Sequence, residues 1–198
     1  MTRTAILCVA SIAAALSVSS AFAQQPTRIR GAVETVAGAT LTVRPPDGET
    51  MTMTLADNTE VYALVKAALA DIKPGAFVGI GAMPQPDGGS KAIQVAIFAE
   101  PLRGVGEGHR PWDRPGTTMT NGTVDTTVTS VDGQVLTVKY KGGEQKITVT
   151  PDSAIRAYVV SDKNELKPGA NIATFAAKNA DGTFSAARIT VGRDGIAP

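Results

Sequence analysis

The sequence predicts a mainly β protein: two tandem small five-stranded β-barrels, each with a short helical segment before its fourth strand. Three observations predict this. Short stretches alternate apolar and polar residues with period two, as half-buried strands do. Glycine-containing turns separate those stretches. One pattern of turns and strands also occurs twice, and the separations 168 − 74 and 189 − 95 both equal 94.

The second copy is the cleaner. It reads Lys167-Pro168-Gly169-Ala170-Asn171-Ile172, then Asp181-Gly182-Thr183, then the closing stretch Ser185 to Val191. The first reads Lys73-Pro74-Gly75-Ala76-Phe77-Val78, then Asp87-Gly88-Gly89, then Lys91 to Ile97. Each is a turn, a strand, an Asp-Gly turn and a closing strand.

From the N-terminus, Arg3 supplies a positive region and Ile6 to Val18 is apolar apart from Ser11 and Ser17. Ala21-Phe22-Ala23 is a small-x-small cleavage site followed by polar Gln24-Gln25. Residues 1–23 therefore read as a secretory signal peptide cut after Ala23, placing the mature chain in a periplasm. The apolar run is shorter than the roughly 20 residues a spanning helix requires, and the sequence predicts no transmembrane segment in the mature chain. Cys8, the one cysteine, leaves with the signal. Stability then rests on packing without disulfides. Removing Arg3 leaves 18 basic residues against 18 acidic ones. That balance, with few aromatics, argues against nucleic-acid binding.

The first repeat runs from Arg28 to Phe98 and the second from Thr120 to Gly192. Gly31-Ala32-Val33 corresponds to Gly122-Thr123-Val124, and Leu41-Thr42-Val43 to Leu136-Thr137-Val138. Met51, Met53 and Leu55 fall on one strand face, as do Leu136, Val138 and Tyr140. Val61, Leu64, Val65, Ala68, Leu69 and Ile72 have helical spacing and predict a helix between Glu60 and Lys73. In the second repeat only Ser161 to Leu166 looks like a capped short turn, while Ala154 to Val160 is β-branched. The order of strands and helical segment is that of an OB-type barrel. The two halves are expected to pack together or to touch through the linker.

Taken together, Gly-x-Val, Leu-Thr-Val, Lys-Pro-Gly and Asp-Gly with an alanine-rich closing strand resemble the bacterial domain of unknown function 5666. The resemblance covers both halves. It implies an exported, repeated, OB-like barrel and supplies no catalytic residues.

The linker, Ala99 to Met119, concentrates the scarce residue types. It holds the only histidine, His109, and the only tryptophan, Trp112, with Arg103, Arg110, Arg114 and Asp113. A tryptophan is costly to leave in water, so the expectation is an ordered connector that tucks Trp112 between the barrels. A ligand-contacting loop and a loose tether are the alternatives. Guanidinium groups suit a carboxylate or phosphate, making Arg103, His109, Arg110, Trp112 and Asp113 the candidate ligand-binding residues. Glu107, His109 and Asp113 match no metal-ligand spacing, so no metal is expected. Gly104-Val105-Gly106-Glu107-Gly108 lacks the setting of a dinucleotide fingerprint, so no cofactor is expected. No serine sits in a nucleophile-elbow context, and no catalytic residue is assigned. The leading reading is a non-catalytic periplasmic binding or structural module, its partner a small molecule, a glycan or a protein. The alternative is a periplasmic enzyme or metal-associated protein with a site around His109.

Overall fold

The computed structural model describes residues 26–131 and 133–198. The predicted export signal, residues 1–23, and Asp132 lie outside them. Among the described residues no helix is long and apolar enough to cross a membrane.

The first half contributes β1 (Thr27–Ala37), β2 (Thr40–Arg44), β3 (Met51–Thr54), β4 (Glu60–Lys66), β5 (Phe77–Pro84) and β6 (Ser90–Ile97). The linker adds β7 (Gly108–Pro111). The second half contributes β8 (Thr118–Ser130), β9 (Gly133–Tyr140), β10 (Gly143–Val149), β11 (Ala154–Ser161), β12 (Asn171–Lys178), β13 (Phe184–Ser185) and β14 (Arg188–Gly192). Helical structure among the described residues is confined to short 3-10 turns at Leu69–Asp71, Glu100–Leu102 and Lys163–Glu165.

Two rings of strands close. In one, β1 pairs with β2, β2 with β3, β3 with β13, β13 with β12, and β12 returns to β1. In the other, β8 pairs with β9, β9 with β10, β10 with β6, β6 with β5, and β5 returns to β8. The closing strand pairs parallel to the third strand in both rings, at β3 with β13 and at β10 with β6. Each ring thus draws its first three strands from one half and its last hairpin from the other. The halves do not merely pack; they exchange their C-terminal hairpins.

The crossing is made where the sequence pattern predicts a helix. Residues 60–66 form strand β4, and only Leu69–Asp71 coils into a 3-10 turn. Strand β4 lies between β14 and β11, and Val61, Tyr62, Ala63 and Leu64 are all buried. A strand covered on both faces loses its alternation, and its continuous apolar run then mimics helical spacing. In the second half, β11 plays the same part beside β6. The expected capped turn follows it, with the Asp162 carboxylate accepting from the Asn164 amide at 2.7 Å.

The registers repeat. Val95 faces Ile155 as Ile189 faces Val61, each pair displaced by 94 positions. Between β4 and β11, Leu64 faces Tyr158, and 158 − 64 is also 94, so this pair marks a local two-fold axis. Two cores result. Ile29, Val33, Leu41, Val43 and Met53 pack with Ile172, Ile189 and Val191. Val78, Ile80 and Val95 pack with Val124, Leu136, Val138, Ile147 and Val149. Both cores therefore depend on residues from both halves.

Candidate ligand-binding cleft

Strands β1, β12, β14, β4, β11, β6, β5 and β8 put one set of side chains into the cores and the alternate set on the opposite face. That second face lines a cleft of about 930 Å³. On β1, for example, Ile29 is in the core while Arg28 and Arg30 line the cleft. On β12, Ala176 is a core residue, and Ala173 and Phe175 line the cleft. The Leu64–Tyr158 pair of the local two-fold axis belongs to the same lining.

The charge of the side chains there is one-sided. Arg28, Arg30, Arg110, Arg156 and Arg188 line the cleft, and Asp113 is the one side-chain carboxylate among the lining residues. Five of the chain's ten arginines gather here, with none of its nine lysines. Arginine is the cation whose planar fork matches an oxyanion with paired hydrogen bonds.

Some of these guanidiniums are engaged. Arg28 Nη1 donates to Asp113 Oδ2 at 3.1 Å. Arg188 pairs with Glu60 at 3.1 Å and lies over the Tyr62 ring. Arg110 donates to the Gly106 carbonyl at 2.7 Å. Arg30 makes no side-chain hydrogen bond among the described residues. Burial and then neighbouring Arg28 lower its pKa, while Asp113 and Tyr158 oppose this. The Tyr158 hydroxyl is pushed up chiefly by burial, against the opposing pull of Arg28, Arg156 and Arg30. Three guanidiniums therefore act electrostatically on one phenol.

Aromatic surfaces flank the arginines. Phe98 stacks on Tyr158 with ring centroids 5.1 Å apart and planes 22° apart. Phe175 is 65% exposed, and the Arg28 guanidinium lies 6.0 Å from its ring centroid. The Trp112 ring rests on β5 at Gly81, where an added β-carbon would stand 2.5 Å from the indole. Beside it, Asn121 is buried over Gly79, its amide donating to the Val105 carbonyl at 3.0 Å. Its buried Oδ1 has no hydrogen-bond partner among the described residues.

The linker is an ordered hairpin. After the Glu100–Leu102 turn, β7 pairs with β8 in the register His109 with Thr120 and Arg110 with Met119. Trp112 is half-buried, and its amide donates to the Thr117 carbonyl at 3.0 Å. The hairpin divides the linker candidates. The consecutive residues Arg110, Pro111, Trp112 and Asp113 line the cleft. His109 is outside that lining: its Nδ1 is 2.8 Å from Thr120 Oγ1, and its ring stacks on Tyr140. Arg103 is elsewhere too, donating to the Gly75 carbonyl at 3.0 Å and to Glu100. Among the described residues no three His, Cys, Asp or Glu side chains are grouped to hold a metal.

A second hollow of about 780 Å³ lies at one end of the β8 ring, bordered by Asp87, Lys91, Ser130, Val131, Thr148 and Asp152. Its lining includes no aromatic side chain, and its charges are mixed. The arginine cleft is the chemically directed one. Sequence reasoning missed Arg28, Arg30, Arg156, Tyr158 and Arg188, because the balanced total charge hid the cluster. The available signal was alternation: each arginine lies next to a core position on its strand.

Fold and cleft define a double OB-like barrel with a cationic, aromatic groove. Residues 126–190 match the family described as domain of unknown function (DUF5666), the family the repeated pattern resembles. The matched segment runs from late β8 into β14 and is divided between the two rings. Comparisons with curated proteins and with solved structures gave no match.

Proposed function

We propose that this chain is an exported, periplasmic, non-catalytic binding module, built by tandem duplication of the family unit, whose ligand sits in the arginine-lined cleft. The observation that carries the reading is the gathering of Arg28, Arg30, Arg110, Arg156 and Arg188 around Tyr158, Phe98, Phe175 and Trp112. Concave sites with a few charged groups among apolar walls are the usual form of small-molecule sites. A small molecule is favoured over a glycan or a protein by the enclosure of these groups in one cleft. Export is supported by Arg3, the apolar run from Ile6 to Val18 and Ala21-Phe22-Ala23.

The test uses protein recovered from a periplasmic fraction, whose intact mass is expected to begin at Gln24. It is screened by thermal shift against organic anions, neutral oligosaccharides and peptides. An anionic class is expected to raise the melting temperature of the native protein. The gain should be lost in Arg30→Gln/Arg156→Gln. A screen in which no class shifts the protein would replace the binding reading with a purely structural one.

A further inference from the structure

Asp113 is an internal carboxylate already seated among the cleft arginines. Its Oδ2 lies 3.1 Å from Arg28 Nη1, and it also acts electrostatically on Arg30. The pair is open to water, the two side chains being 42% and 56% exposed. An exposed pair of this kind contributes little to stability, so a competing anion displaces it at little cost. The residue sits beyond β7, next to Trp112, at the tip of the hairpin that lies over Gly81.

The surroundings say more about the competitor. An inorganic anion would use the guanidiniums and leave the Phe175 and Trp112 rings idle. A neutral apolar molecule would use the rings and leave Arg30 without a partner. A flat body attached to a carboxylate uses both, because guanidinium planes and aromatic rings accept stacking and the fork accepts a planar carboxylate. Asp113 occupies the head-group position with the same functional group.

We propose that the cleft takes an organic carboxylate with a flat apolar body, which replaces the Asp113 carboxylate at Arg28 and Arg30. This rests on the binding reading above and assigns its ligand class. The hairpin tip is then a built-in competitor, held in place by the Trp112–Thr117 turn and released when the ligand's charge takes over.

Calorimetric titration of the full mature protein with 2-naphthoate, its methyl ester, acetate and inorganic phosphate tests this. The acid is expected to bind and the ester to bind at least about tenfold more weakly, the loss expected for a charged hydrogen bond. Arg30→Gln should weaken the acid by about tenfold on the same basis. Asp113→Asn should tighten it about two- to fivefold, because an exposed competing pair is removed. Arg30 and Asp113 are both exposed, and unchanged circular dichroism of the variants separates binding loss from misfolding. Three results overturn the proposal: phosphate or acetate binding as tightly as 2-naphthoate, the ester binding as tightly as the acid, or Asp113→Asn leaving affinity unchanged or lower. If 2-naphthoate fails while another class from the thermal screen binds, the ligand class falls and the binding reading stands. If nothing binds in either experiment, both fall.

Discussion

A β-carbon placed on Gly31 would lie 2.3 Å from the Arg44 carbonyl oxygen, and one on Gly122 would lie 2.3 Å from that of Lys139. Both obstacles are backbone, so neither can swing aside. The Gly-x-Val motif is thus a close approach of paired strands at the same place in each ring. Gly31→Ala and Gly122→Ala are each expected to lower stability by about 1–3 kcal/mol, the usual cost of overpacking, read from chemical-denaturation midpoints. The Lys-Pro-Gly motif reports the exchange itself. The Gly75 amide donates to Val124 at 2.7 Å and the Gly169 amide to Val33 at 2.8 Å, each into the other half. Both glycines have φ of 86°, which favours glycine over any residue with a β-carbon. Glu165 supplies a pH test. Hydrogen bonds from Arg193, then Ser161, lower its pKa from 4.5 to about 2. A depressed carboxylate stabilises the fold fully above its unfolded value and loses that contribution as pH falls toward its folded value. The window therefore runs downward from about pH 4.5 to about 2. Arg193→Ala should return Glu165 toward its ordinary range. Its stability should fall below that of the native protein near neutral pH and converge with it near the bottom of the window. The gap should stay within about 1 kcal/mol, because the pair is partly exposed.

At the scale of elements, the turns and the half-buried strands were legible from sequence because each has a local cause. Positive-φ glycines end strands, and Met53 and Leu136 alternate with polar residues because only one face of β3 or β9 is covered. Strand β4 was not legible for the converse reason: Tyr62 and Leu64 are as buried as Val61 and Ala63, and alternation vanishes. The exchange was illegible on different grounds. The β5–β6 hairpin has the same turn and the same apolar face whether it closes its own ring or the other one, so a local pattern cannot distinguish the two. The cleft was half legible. Arg110, Trp112 and Asp113 are neighbours in sequence and attracted notice together. Arg28, Arg30, Arg156 and Arg188 come from β1, β11 and β14, and only the sheet that joins those strands through β12 and β4 brings them to one face.

Across the whole molecule, exchange changes what counts as a folding unit. Two tandem barrels joined by a linker would each own a core and unfold separately. Here Leu41 and Met53 pack in one core with Ile172 and Ile189, and Val78 and Val95 pack in the other with Leu136 and Ile147. Neither core can form before both halves of the chain contribute, and the β4–β11 pairing joins the rings into one sheet. Loss of either hairpin from its ring opens a core and releases a strand edge. The expected result is a single cooperative transition. Trp112 emission reports the surroundings of the linker hairpin, where the ring rests on Gly81 of β5. Far-ultraviolet circular dichroism reports all the strands. In urea the two signals should change with one midpoint and one slope, as two-state unfolding requires. Ile189→Ala places a cavity in the core of the β1 ring, not in that of the ring to which β5 belongs, and should cost about 2–5 kcal/mol. Its decisive effect is on the tryptophan probe: the Trp112 transition should move to lower urea together with the dichroism. A Trp112 transition that stays at the native midpoint while the dichroism splits in two would show that the rings unfold independently, against the exchanged architecture.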